Sequence, residues 1–111
     1  MAKGPAMSRD EAERAIIAGI EVFEDELSRK EIDIIGLGEM GIANTTPSSA
    51  IVACLTKSKV EEVTGRGTGI NEDQLKNKIR VIKQAIEVNR PDPEDGLDVL
   101  SKVGGLSLIH I

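Results

Sequence analysis

The 111-residue chain is 40% hydrophobic but has one phenylalanine, no tryptophan and no tyrosine, so its core must be aliphatic and it lacks aromatic platforms for stacking nucleic-acid bases. Its 19 acidic and 14 basic residues give a net charge of -5, which opposes binding to nucleic acid or to an anionic membrane. One cysteine, Cys54, no signal-peptide pattern and no bilayer-length apolar run predict a cytoplasmic protein with a single core and no disulfide.

The first predicted element is a helix. Ser8 and Glu11 have the spacing of a capping box, in which each side chain bonds to the other residue's backbone N–H. Apolar residues then recur at helical spacing, at Ala12, Ile16, Ile20, Phe23 and Leu27. The pattern predicts an amphipathic helix that ends near Ser28.

A strand is predicted at residues 32–38, "IDIIGLG", which form a short apolar run rich in β-branched residues. A helix followed by a buried strand is typical of α/β proteins. The predicted fold class is therefore α/β, a parallel sheet with flanking helices, here as a helix-rich portion with one strand. Because such a sheet needs neighbouring strands, we expect residues 1–105 to be part of an α/β domain and to pack against further chain.

Three more helices follow. Thr46 as N-cap and Pro47 at the first helical position predict the start of the second helix, which packs through Ala50, Ile51, Ala53, Cys54 and Leu55. The glycines of "TGRGTG", residues 64–69, predict a loop.

The last two helices also begin at capping residues. Asn71 and Gln74 open a helix that is limited by Pro91, with a packing face of Leu75, Ile79, Ile82 and Ile86. Asp95 caps a short final helix that contains Leu97 and Leu100 and ends at "VGG".

The glycine-rich loop permits two kinds of site. Gly36, Gly38 and Gly41 match the G-x-G-x-x-G pattern of a dinucleotide-binding module. That module places its third glycine at the start of a helix and needs an acidic residue after a second strand. Here the helix signals follow Gly41 by about five residues, and the segment around Glu61 and Glu62 is not strand-like. Dinucleotide binding is therefore the alternative.

A cradle for one phosphate fits the loop better. Backbone N–H groups, an amide and two hydroxyls precede the predicted helix N-terminus, which attracts anions. The residues that supply them are Gly41, Ile42, Ala43, Asn44, Thr45 and Thr46. The last three of these residues are equally able to cap the helix without any ligand. Glu39, which a phosphate would repel, suits ribose hydroxyls or a substrate nitrogen, or is a solvated loop residue.

Two cations are candidate anion ligands. Arg66 lies between glycines that permit close approach to a ligand, and its guanidinium suits phosphate, although a solvated surface turn explains it nearly as well. Lys78 precedes the buried position Ile79 and is therefore near the margin of the packed face. Cys54 is expected to be a buried hydrophobe, and His110 has no partner for metal or triad chemistry.

Four segments resemble the nicotinate-nucleotide–dimethylbenzimidazole phosphoribosyltransferase family: "KGPAMSRDEAERAI", "GLGEMGIANTTPSSA", "TGRGTGI" with "KNKI", and "RPDPEDGLDVLSKVGG". The family's loop reads G-E-M-G-I-G-N-T-T, so Ala43 replaces a glycine. The resemblance implies transfer of phosphoribose from nicotinate mononucleotide to 5,6-dimethylbenzimidazole, with inversion, to give α-ribazole 5′-phosphate and nicotinate for cobalamin assembly. It also implies a Rossmann-like α/β domain and a homodimer, without metal or cofactor.

The resemblance also assigns site residues. The family's loop glutamate is Glu39, its phosphate-binding stretch is residues 41–46, and its phosphate lysine is Lys78. The family's general base is a glutamate well beyond Gly105, so we expect no catalytic residue in this stretch and no activity from it alone. Residues 106–111, "LSLIHI", match a translated sequencing-adapter end, and we expect them to be non-native, with a natural short tail as the alternative.

Overall fold

The computed structural model describes residues 1–36, 38 and 43–105. Within these residues the chain forms five helices, which we number in chain order. They are α1 (Arg9–Arg29), α2 (Thr45–Thr56), α3 (Val60–Val63), α4 (Glu72–Asn89) and α5 (Gly96–Val103). The suspected tail, residues 106–111, lies outside the described part of the chain.

The predicted strand is wrong for the described part of residues 32–38, where the backbone is irregular. Ile34 is 89% exposed and Ile35 is 53% exposed, so neither is covered as a buried strand requires. A parallel strand depends on hydrogen bonds to its neighbours, and the described residues contain no strand that pairs with this segment. The structure here is helix-rich, and the Rossmann-like sheet stays a prediction.

The core lies between α2, α4 and α5. Ile82, Val99 and Val103 are its largest fully buried side chains. Ala50 of α2 and Ala85 of α4 are also fully buried, and such small residues let the helix backbones approach closely. The aliphatic core that the composition predicted is confirmed.

The capped helices are confirmed at their starts. Ser8 and Glu11 form the capping box of α1, and Asn71 and Gln74 form that of α4. The Asp95 carboxylate accepts hydrogen bonds from two backbone N–H groups in the first turn of α5. These caps are readable from sequence because they depend on side chains only three positions apart.

The predicted start of α2 is wrong by two residues. Asn44, rather than Thr46, is at the N-cap position, and the helix begins at Thr45. Pro47 is consequently the third helical residue. Because the first four N–H groups of a helix have no intrahelical acceptor, proline costs no hydrogen bond there either. This shift places the Thr45 side chain on the first turn of the helix.

The single-turn helix α3 was not predicted from the sequence. Its four residues are too few to show a helical period. Two hydroxyls bind its backbone carbonyls: Ser49 Oγ donates to Val63 O at 3.0 Å, and Thr64 Oγ1 donates to Val60 O at 2.6 Å. These bonds fix the point at which the chain enters the 64–71 loop.

Helix α1 packs on α5 through its N-terminal half alone. Ala12 and Ala15 are buried with Met7 against Leu97 and Leu100. The rest of the predicted apolar face is exposed by 38–50%, at Ile16, Ile20, Phe23 and Leu27. Within the described residues, no helix is both long and apolar enough to cross a membrane.

The turn between α4 and α5 is held by a carboxylate. Asp98 Oδ2 accepts from the Asp92 backbone N–H and from Lys102 Nζ, each at 2.8 Å. These hydrogen bonds, the first of them most strongly, lower the pKa of the Asp98 carboxyl below its ordinary value of 3.8. The folded state therefore favours the ionised carboxylate.

Replacing Ala43 by glycine should stabilise the chain. Ala43 has φ of 66°, in the left-handed region that side chains disfavour, so glycine relieves strain worth about 1 kcal/mol. Urea unfolding of the 111-residue chain measures the change. Ala50→Gly, in the buried helix interior, is the opposite control and should destabilise by about 1 kcal/mol or more. Loss of stability in Ala43→Gly would contradict the argument.

Acid should destabilise the fold partly through Asp98. A carboxyl with a lowered folded-state pKa contributes stability above its unfolded pKa, and this contribution is lost as pH falls through the folded value. We expect the thermal midpoint to fall below about pH 4. The fall should be smaller in Asp98→Asn, whereas Asp73→Asn, at a carboxylate whose side chain is 96% exposed, should retain it. An identical acid response in Asp98→Asn would exclude this carboxylate as a source.

Candidate functional site

Lys78 reaches from α4 to the start of α2. Its Nζ donates to Thr45 Oγ1 at 2.8 Å and to the Gly65 carbonyl at 2.9 Å. The ammonium thus joins α4, the first turn of α2 and the start of the 64–71 loop. An ammonium has three N–H donors, so these two bonds leave one N–H without an acceptor in the described part of the chain.

Glycine is required where the loop crosses α2. Gly67 has φ of +64°, and a Cβ atom added there would lie 2.9 Å from Thr45 Oγ1 and 3.6 Å from Thr45 Cγ2. Real Cβ atoms essentially never lie as close as 2.9 Å to another heavy atom outside their chain neighbours. The loop backbone therefore lies directly against the hydroxyl that accepts from Lys78.

Two open clefts are lined by residues of this region. A cleft of about 260 Å³ is lined by Thr45, Ser48, Gly65 and Gly67, with apolar neighbours from α2 and α3. A second, of about 320 Å³, is lined by Thr46 and Lys78 together with Ile70, Gln74, Asn77 and Val81. Polar groups at the start of α2 thus border space that a small ligand can enter.

The two predicted cations differ in their surroundings. Lys78 is half-buried, and burial lowers the pKa of its ammonium below the ordinary value of 10.5. Arg66 is exposed, and its guanidinium pairs with Glu72 at 2.7 Å. The salt-bridge geometry gives Lys78 no carboxylate partner among the described residues. Of the two, Lys78 is the cation placed at the start of α2.

The structure places the predicted site residues as follows. Thr45, Thr46 and Lys78 are together at the start of α2. Asn44 is buried beside them, and its carbonyl accepts from the Ser48 N–H at 3.0 Å. Ala43 is exposed. Three predicted residues, Glu39, Gly41 and Ile42, lie outside the described part of the chain.

Gly65 and Gly67 were not predicted as site residues. The sequence did show that glycines around Arg66 allow close backbone approach. It did not show that the approach is to Thr45 of the same chain, since this contact joins residues far apart in sequence. The carbonyl of Gly65 is likewise a backbone acceptor that any residue type carries.

The dinucleotide alternative gains no support from the helix position. Helix α2 begins at Thr45, four positions after Gly41 in sequence, instead of at the third glycine of the pattern. Cβ atoms added at Gly36 or Gly38 would meet nothing within 4 Å. Neither glycine is therefore required by a close contact in the described structure.

A larger cleft, of about 560 Å³, lies at the other end of α2. Two of its lining lysines are paired with carboxylates, Lys83 with Glu61 and Lys57 with Glu94. Cys54 lies in its wall, and burial raises the pKa of this thiol, as expected of a small buried hydrophobe. In the described ranges, no group of three potential metal ligands comes together.

A lysine ammonium beside a helix N-terminus and a glycine loop is typical of proteins that bind phosphorylated small molecules. The comparison with known families is more specific. The chain belongs to the phosphoribosyltransferase family, whose sequence model matches residues 1–111.

Individual relatives agree with this assignment. A protein of Desulforamulus reducens, named nicotinate-nucleotide–dimethylbenzimidazole phosphoribosyltransferase, is 57% identical over 107 residues, which are 96% of this chain and 30% of the relative. A protein of the same name from Desulforudis audaxviator is 61% identical over 108 residues, 97% of this chain and 30% of the relative. The chain thus spans about 30% of the length of these curated relatives.

A solved structure shares the fold of the described chain. The crystal structure of CobT from Thermus thermophilus matches with a TM-score of 0.87 and 39% sequence identity, over 98% of this chain and 32% of that one. The family resemblance expected from the sequence motifs is confirmed.

Proposed function

We propose that this chain supplies the phosphate-binding and ribose-binding part of an enzyme that transfers phosphoribose from nicotinate mononucleotide to 5,6-dimethylbenzimidazole. The products are α-ribazole 5′-phosphate and nicotinate. One observation carries the proposal: the Lys78 ammonium is held by Thr45 and Gly65 beside the start of α2. The names of the relatives supply the identity of the two substrates.

Three kinds of donor converge on the proposed phosphate. Lys78 offers its remaining N–H and a positive charge. The Thr45 hydroxyl accepts from Lys78 and is therefore able to direct its own proton to the same anion. In the first turn of α2 the N–H groups of Thr45 and Thr46 lack intrahelical acceptors, and this turn contains no acidic residue that would compete for them.

Anchoring the phosphate positions the reacting carbon of the ribose. In the proposed reaction a benzimidazole nitrogen forms a bond to the anomeric carbon, with inversion. The bond to nicotinate breaks, and its electron pair stays on the nicotinate ring nitrogen. The benzimidazole N–H proton passes to a base, which the family resemblance assigns to a glutamate outside these residues. Binding energy from the phosphate then serves orientation at a distance from the chemistry.

The remaining predicted ligands complete the proposal. Glu39 would accept from ribose hydroxyls, and Gly41, Ile42, Ala43, Asn44 and Thr46 would line the phosphate. Arg66 would have to leave Glu72 in order to reach a substrate. We also propose that the complete enzyme is a cytoplasmic homodimer that acts on small molecules and needs no cofactor, nucleic acid or membrane.

Loss of the lysine should weaken nucleotide binding selectively. We define the segment-exchange enzyme as the Thermus thermophilus relative with its corresponding segment replaced by this chain. In it, Lys78→Ala should raise the KM for nicotinate mononucleotide about 10-fold to 100-fold, the effect of one charged hydrogen bond, and change the benzimidazole KM much less. Steady-state kinetics with each substrate varied gives both constants.

The matched control is Lys76→Ala on the same helix, at a side chain that is 70% exposed. This variant should leave both constants unchanged. A Lys78→Ala enzyme with an unaltered nucleotide KM would reject Lys78 as a phosphate ligand. Tight binding of NADH with indifference to benzimidazoles would favour the dinucleotide alternative.

Nucleotide binding should also depend on the protonation of Lys78. Its pKa lies below 10.5 because of burial, and only the ammonium form attracts phosphate. Affinity should therefore fall as pH rises through this lowered value. Lys78→Arg, which stays charged at these pH values, should remove the alkaline fall. An unchanged pH profile in Lys78→Arg would assign the fall to another group.

A further inference from the structure

The contact between Gly67 and Thr45 links the 64–71 loop to the lysine site. Thr45 Oγ1 is the acceptor for Lys78 at 2.8 Å, and it is also the atom that a Cβ at Gly67 would meet at 2.9 Å. The loop contributes a second acceptor through the Gly65 carbonyl. The same short stretch of backbone therefore touches both the lysine and its hydroxyl partner.

We propose that Thr45, in addition to donating to the phosphate, positions Lys78, and that Gly67 acts as the spacer for Thr45. The absence of a side chain at Gly67 lets the loop hold the Thr45 hydroxyl where it fixes the ammonium. This inference rests on the proposed function, in which Lys78 binds the substrate phosphate. It goes further by assigning the geometry of that lysine to a contact between two other residues.

The neighbouring glycines show why Gly67 is the spacer. Gly69 also has positive φ, at +103°, but a Cβ there would meet nothing within 4 Å. Gly65 has open space at the same position and contributes its carbonyl instead. Replacing Gly69 by alanine thus introduces backbone strain alone, whereas replacing Gly67 adds a collision with Thr45.

The first test compares these two alanine variants in the segment-exchange enzyme. Gly67→Ala should raise the KM for nicotinate mononucleotide about tenfold, the usual effect of losing one hydrogen bond to a charged group, and leave the benzimidazole KM unchanged. Gly69→Ala should lower stability without changing either constant. Equal nucleotide KM values in the two variants would overturn the spacer role.

A double variant separates the specific contact from general damage. Thr45→Ala removes the colliding hydroxyl and methyl group, and leaves Thr45 Cβ at an ordinary contact distance of 3.7 Å. Gly67→Ala should therefore add nothing to the nucleotide KM of Thr45→Ala. Additive effects of the two substitutions would contradict the proposal, since residues that act through one contact are not additive.

Variants of Thr45 alone test the hydroxyl without touching the loop. Thr45→Val keeps the shape of the side chain but removes the acceptor, and it should raise the nucleotide KM about tenfold. Thr45→Ser keeps the acceptor and should preserve the wild-type constant. A serine variant as impaired as the valine variant would show that packing, instead of the hydroxyl, is what matters.

A measurement without substrate separates this inference from the proposed function. The pH titration of the Lys78 side-chain NMR signal in the 111-residue chain, assigned through Lys78→Arg, reports the surroundings of the ammonium. Gly67→Ala should shift the pKa of Lys78, because the hydroxyl acceptor and the exposure of the ammonium both change, whereas Gly69→Ala should leave it as in the wild-type chain. This result with an unaltered nucleotide KM in Lys78→Ala would leave the contact standing and reject the phosphate role. No change in Gly67→Ala would reject the contact itself.

Discussion

The site depends on one half-buried ammonium with two neutral acceptors. Taking a charge partly out of water is unfavourable, and the Thr45 hydroxyl and Gly65 carbonyl offset this cost without cancelling the charge. A carboxylate in their place would have formed an ion pair and left little attraction for an anionic substrate. Lys78 therefore presents a positive charge that no carboxylate among the described residues balances, whereas the charge of Arg66 is balanced by Glu72.

The packing of the core keeps Lys78 of α4 close to the start of α2. Helices α2 and α4 meet through small and aliphatic side chains, with Ala50, Ile82 and Ala85 fully buried. Bulky residues at these positions would separate the helices and lengthen the distance that Lys78 has to span. The aliphatic composition is thus connected to the site geometry as well as to stability.

The exposed apolar surface is consistent with a chain that covers about 30% of its curated relatives. The described residues hold donors for the proposed phosphate. Most of each relative lies outside the matched stretch, and we expect that part to complete the pocket. When one segment of an enzyme binds the phosphate and another segment supplies the catalytic base, the ribose is positioned independently of the incoming benzimidazole.

The sequence by itself determined the capped helices, the aliphatic core, the loop at residues 64–69 and the family, because each depends on residues close together in the chain or on whole motifs. The sequence also named Lys78 as a candidate ligand, through its place beside Ile79 and its family motif; its role as a ligand stays a prediction. The predicted start of α2 was two residues too late. Proline is accepted at any position of the first turn, so Pro47 does not show which of these positions it occupies. The strand predicted at residues 32–38 is absent from the described part of that range, because strand pairing depends on neighbours that local sequence does not show.

Tertiary structure decided which groups meet. The bond from Lys78 to Thr45 spans 33 positions, and its second acceptor is a backbone carbonyl that carries no sequence signal. The requirement for glycine at residue 67 likewise arises from a side chain on another element. Local patterns fix helices and their ends, whereas a binding site is set by distances between elements, which only packing establishes.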